Sequence, residues 1–162
     1  MTCEIRLSRV VGLPVIHGGR LLGHVEQALP DGEGKRLDGL MIRRGMRGAR
    51  WASRESVGVL GEVSVILARL PGKVRKTREI AAPLVKDESG LTLGRVTDMW
   101  LDAGTLAVTA LEISLGPLED VRRGRLRVEM WSLCPGGDGA PQVVIPRRAW
   151  ETNAGEGKEV KG

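Results

Sequence analysis

Apolar residues in this chain come in short runs of Val, Leu and Ile, cut by breaks rich in Gly, Pro and Asp. Runs too short for helices and rich in branched aliphatics predict strands. Val10-Val11 and Leu13-Pro14-Val15-Ile16 open the series, followed by the turn His17-Gly18-Gly19-Arg20. A strand from about Leu21 to Leu29 comes next, its alternation placing Gly23, Val25, Gln27 and Leu29 on one face. Pro30 to Gly34 carries turn chemistry, and Arg36 to Arg43 reads as the following strand. Arg50-Trp51-Ala52 leads into Ser53-Arg54-Glu55-Ser56, a single helical turn expected to be capped by Ser53. Val57 to Gly61 and Val63 to Leu67 complete this stretch.

The pattern then repeats. Leu22-Gly23-His24-Val25 matches Leu93-Gly94-Arg95-Val96 at an offset of 71 residues, and Leu40-Met41-Ile42 matches Leu111-Glu112-Ile113 at the same offset. Pro14-Val15 matches Pro83-Leu84-Val85, with the length change falling in the intervening turn, now Asp87-Glu88-Ser89-Gly90. In this second copy Leu91 to Asp102 and Leu106 to Leu115 are the paired strands. Leu118 to Gly124 reads as a short helix, with acids at its start, arginines at its end and a glycine stop. Arg125 to Leu133 and Gln142 to Pro146 supply the last strands. The expected organisation is all-β: a first small β-barrel over 1–70, a linker over 71–77, a second barrel over 78–150, and a disordered tail over 151–162, with short helical turns. Closure into barrels suits domains of this size, because it removes exposed edges.

Composition narrows the function. The chain has 162 residues and four Trp but neither Phe nor Tyr. That shortage argues against a stacking platform for single-stranded nucleic acid. No apolar stretch is long enough to span a bilayer, and the N-terminus lacks a signal-peptide pattern, so a cytoplasmic location is expected. Net charge is +5, carried mostly by Arg. Two distant cysteines, Cys3 and Cys134, read as free thiols, the second half-buried at a strand end.

The order Pro14-Val15, Gly turn, Leu22-Gly23-His24-Val25, strand, and Leu40-Met41-Ile42 resembles the PRC-barrel domain. Pro83-Leu84-Val85, Leu93-Gly94-Arg95-Val96 and Leu111-Glu112-Ile113 resemble it again, and Ala52 to Gly61 looks like the family's later piece. Ile113 to Gly116, Leu118 to Val121 and Gly124-Arg125 are similar to tandem PRC-barrel proteins of Gram-positive bacteria. The resemblance implies a bacterial protein-interaction module rather than an enzyme. It also brings in two specialised settings, a ribosome-maturation factor and the photosynthetic reaction-centre H subunit. The chain shows neither the extra N-terminal barrel of the one nor the N-terminal membrane helix of the other.

Candidate chemistry is sparse. His17 and His24 have no acidic or thiol cluster beside them in sequence, so no metal site is expected. The Gly-rich turns lack the Gly-Lys-Ser/Thr ending of a phosphate loop, and no catalytic or cofactor residue is assigned. The one cluster with a claim to function is Arg43, Arg44, Arg47 and Arg50, in a loop whose counterpart, Gly116 to Asp120, is acidic. These four are the candidate partner-binding residues. Another protein is the expected partner, RNA or the ribosome the alternative; homo-oligomerisation stays open.

Overall fold

The computed structural model describes residues 3–74 and 83–147; the tail over 151–162 and residues 75–77 of the 71–77 linker lie outside them. The described chain is mostly strand. It divides into two compact units: residues up to 74 together with 100–109, and residues 83–99 with 110–147.

In the first unit, β1 (Glu4–Arg6) and a short helix α1 (Leu7–Val10) precede β2 (Pro14–His17), β3 (Arg20–Pro30), β4 (Leu37–Arg43), β5 (Ala49–Ser53), β6 (Val57–Leu60) and β7 (Val65–Leu67). The sheet order is β5-β4-β3-β2-β7-β6. Neighbours are antiparallel except β2 and β7, which run parallel. The second sheet and its helix comprise β8 (Leu84–Asp87), β9 (Thr92–Asp102), β10 (Val108–Ser114), a helix α2 (Pro117–Arg123), β11 (Leu126–Val128), β12 (Ser132–Pro135) and β13 (Pro141–Ile145). Their order is β11-β10-β9-β8-β13-β12, with β8 and β13 parallel. Element for element, this is the connectivity of the first sheet. Each path runs between two end strands, and the pairing among described residues does not close either into a barrel.

The same side chains fill both cores. Val25, Leu37, Leu40 and Ile42 are buried in one sheet, and Val96, Val108, Leu111 and Ile113, each 71 positions on, are buried at the matching places. Burial of such aliphatics stabilises by roughly 1.5–3 kcal/mol apiece. The glycine of each Leu-Gly-x-Val is also explained. A Cβ on Gly23 would run into the backbone carbonyl of Arg43, and one on Gly94 into that of Ser114. The strands approach too closely for any side chain there. Both β-hairpins end in a loop closed by an aspartate: the Asp31 amide donates to the Arg36 carbonyl and the Asp102 amide to the Ala107 carbonyl, each at 2.8 Å. Within the first unit the two loops pair with each other. Leu37 N donates to Leu106 O and Val108 N to Lys35 O, again at 2.8 Å.

Several expectations change. Val10-Val11 is not strand: α1 ends at Val10, whose side chain is fully buried. A bulge at Glu26 shifts the register of β3, pairing Val25 with Ile42 and Gln27 with Met41. The buried face of β3 therefore carries Val25 and Ala28, while Gln27 is exposed. The turn Arg54–Ser56 is 3-10, and Ser53 makes no cap: its hydroxyl meets the Ser56 hydroxyl at 3.2 Å. The run from Arg125 to Leu133 breaks at Glu129–Trp131 into β11 and the start of β12. β1, which the sequence pattern does not announce, pairs with Trp100–Asp102. Cys134 is exposed rather than half-buried.

Candidate functional site

The basic loop sits where β4 turns into β5. Antiparallel pairing of His24 with Arg43 lays the residues after Arg43 beside the start of β3. The close packing at Gly23 reaches the Arg44 Cα as well. Gly45–Arg47 forms a single 3-10 turn, with Gly45 at φ 56° and Gly48 at φ 78°, a backbone conformation that favours glycine. Arg44 N donates to Gly48 O at 3.0 Å and closes the loop. At its tip Met46 is fully exposed.

The four predicted arginines are placed differently. Arg43 is engaged: its guanidinium pairs with Glu26, Nε donating to Oε1 at 3.1 Å. Arg50 stands across from the buried Ile42 on the opposite face of the sheet from Arg43, whose partner on β5 is Ala49. Arg44 and Arg47 remain on the loop. Among the described residues, no ion pair involves Arg44, Arg47 or Arg50. Arg44 Nε is buried without a hydrogen-bond partner, a costly condition for a donor. Arg20 is another exposed cation, at the β2–β3 hairpin position opposite His17.

Other candidates resolve structurally. His17 Nδ1 lies 2.9 Å from the Leu67 carbonyl oxygen, joining β2 to the end of β7, and His24 is exposed. No group of three metal-binding side chains occurs among the described residues. A cleft of about 270 Å3 is lined by Asp31, Arg36, Leu37, Asp38, Arg54 and Glu55. Its mixed charges and single apolar residue do not suit an organic ligand. In the second unit the buried Glu112 accepts from Arg125 Nη1 at 2.9 Å and from Thr97 Oγ1 at 3.1 Å. Bonding to Glu112 raises the Arg125 pKa above its ordinary value. This group braces β9, β10 and the chain before β11. Among the described residues no helix is long and apolar enough to cross a membrane. No protein-family model matches the chain, and no curated protein matches it either.

Proposed function

We propose that the chain is a non-catalytic adaptor of PRC-barrel type, two barrel-like repeats acting in the bacterial cytoplasm, and that it binds another protein through the Arg44–Gly48 loop. The observation that carries this reading is the loop itself. It presents a fully exposed Met46 between arginines that no carboxylate of the described chain neutralises. An aliphatic tip flanked by cations is suited to a protein surface with both apolar and acidic character. The matching strand orders of the two sheets and the twin Gly23 and Gly94 contacts support the tandem PRC-barrel resemblance.

Affinity capture from the source cell, with partners identified by mass spectrometry, tests the reading. The expected result is a protein partner lost on Arg44→Glu with Arg47→Glu. RNA or ribosome binding is the second reading, favoured by the arginines alone. Capture that disappears on nuclease treatment and falls steeply with salt would select it. A photosynthetic accessory role has no supporting observation in the fold.

A further inference from the structure

The outer face of the first sheet carries an aliphatic row of four residues, three of them exposed and Ile16 part-covered. Strand register aligns four residues across four strands: Leu21 on β3 pairs with Ile16 on β2, Ile16 with Ile66 on β7, and Ile66 with Val59 on β6. Directly paired residues point to the same side of a sheet. Their neighbours Val15, Val65, Leu60 and Leu67 are buried on the other side. Leu21 is 62%, Val59 53% and Ile66 43% exposed. Scattered single apolar residues on a surface need no explanation, but a contiguous row does.

The second sheet supplies an internal control. At the same strand positions its register aligns Thr92, Lys86, Val144 and Ser132. One scaffold, used twice, carries an aliphatic row in one copy and a mostly polar row in the other. The row is therefore not a requirement of the fold.

Charge at the two ends differs. On the β3 side of the row, the loop bearing Arg44 and Arg47 leaves β4 beside the start of β3, with Met46 exposed at its tip. Glu26, the nearest carboxylate on β3, is taken by Arg43. Near the Val59 end, Glu62 is exposed in the turn joining β6 and β7. Three strand spacings make the row roughly 14 Å long, about two and a half turns of an α-helix.

We propose that this row is the seat of an amphipathic helical segment of a partner protein, about three turns long. Its apolar stripe lies across β3, β2, β7 and β6, and its C-terminal carboxylates face Arg44 and Arg47. The helix dipole adds to the preference, since a negative C-terminal end meets the arginines and a positive N-terminal end meets Glu62. The assignment rests on the adaptor reading and gives its partner a chemistry.

The test uses the full chain and a synthetic 14-residue helical peptide with a leucine stripe and three C-terminal glutamates. Its controls are a twin with lysines in place of the glutamates, phosphatidylserine vesicles and a single-stranded RNA. Calorimetry should show binding of the glutamate peptide and at least about tenfold weaker binding of the lysine twin. Leu21→Glu and Ile66→Glu should each weaken the glutamate peptide about tenfold or more, with an unchanged far-ultraviolet spectrum. Ser132→Glu, at the matching polar position, should change nothing. Amide shifts on titration should concentrate at Ile16, Leu21, Val59, Ile66 and the Arg44–Gly48 loop. Equal binding of the two peptides, tighter binding to vesicles or RNA, shifts centred elsewhere, or self-association through the row would each overturn the proposal. If a cellular partner is captured and survives Leu21→Glu and Ile66→Glu, this surface is wrong and the adaptor reading stands. If no protein is captured by the unaltered chain, the adaptor reading itself fails.

Discussion

The segment after β4 and the segment after β10 leave their sheets at matching strand ends and treat charge in opposite ways. After β10, the chain winds into α2, whose Asp120 accepts from Ser114 Oγ at 2.5 Å and from Leu115 N at 3.1 Å. Glu119 pairs with Arg122 and Arg123 within the helix, and Arg125 bridges Glu112 and Asp120. Every acid there has a cation or an amide. After β4, a 3-10 turn carries Arg44 and Arg47 with no acid in reach among the described residues. The difference reaches into the strands: Glu112 and Arg127 face each other on β10 and β11, where Met41 and Trp51 face each other on β4 and β5. Trp51 is buried there against Gly39, whose missing side chain leaves room for the indole. One loop is satisfied internally; the other carries arginines with no carboxylate partner among the described residues.

The comparison assumes a common scaffold, and the largest expected effect tests that assumption. Gly23→Val and Gly94→Val should each cost at least about 3 kcal/mol in urea unfolding, because the new side chain meets a fixed carbonyl rather than a side chain that can rotate away. If only one of the two is damaging, the strand pairs are not equivalent.

A second experiment probes the satisfied end. Arg125→Ala leaves the buried Glu112 carboxylate with Thr97 as its remaining partner in this group and should lower the urea midpoint at neutral pH. At the open end, Arg43→Ala breaks an ion pair with a third-exposed Glu26 and should change stability by no more than about 0.5 kcal/mol. Similar losses at both positions would erase the contrast.

Much of this scaffold is legible in the sequence, and the failures have physical causes. Leu22-Gly23 and Leu93-Gly94 are visible because close strand approach admits only glycine, so the demand is written into residue type. The bulge at Glu26 is not visible, since an extra residue leaves composition unchanged and shifts only register. β1 is silent because Glu4-Ile5-Arg6 has one apolar residue, and its pairing with Trp100–Asp102 joins positions far apart in sequence. The arginine loop was legible as charge. Its division, with Arg43 paired and Arg50 on the opposite face, depends on register again. The aliphatic row lay hidden for the same reason: Leu21, Ile16, Ile66 and Val59 are adjacent only after four strands are aligned.

The smallest effect separates the two aspartate-closed loops. Asp102 Oδ1 accepts from Gly104 N at 2.8 Å and Thr105 N at 2.9 Å, whereas Asp31 Oδ1 accepts from Lys35 N at 3.0 Å. The Thr105 amide first, and the Gly104 amide after it, hold the Asp102 carboxyl below its ordinary range. A carboxyl with a depressed folded pKa contributes stability above its unfolded pKa of about 3.9, and that contribution fades as pH falls through the folded value. Stability should therefore drop on acidification below about pH 4, and Asp102→Asn should flatten that part of the profile. Asn keeps an oxygen for the two amides but not the charge, so the loop should stay formed with Leu106 still at φ 59°. Asp31→Asn, at a carboxylate that accepts one amide, is the matched control in the same measurement. Urea midpoints measured between about pH 2 and 6 decide the matter. An unchanged slope in Asp102→Asn would mean that the charge of the Asp102 carboxylate contributes nothing to holding the loop.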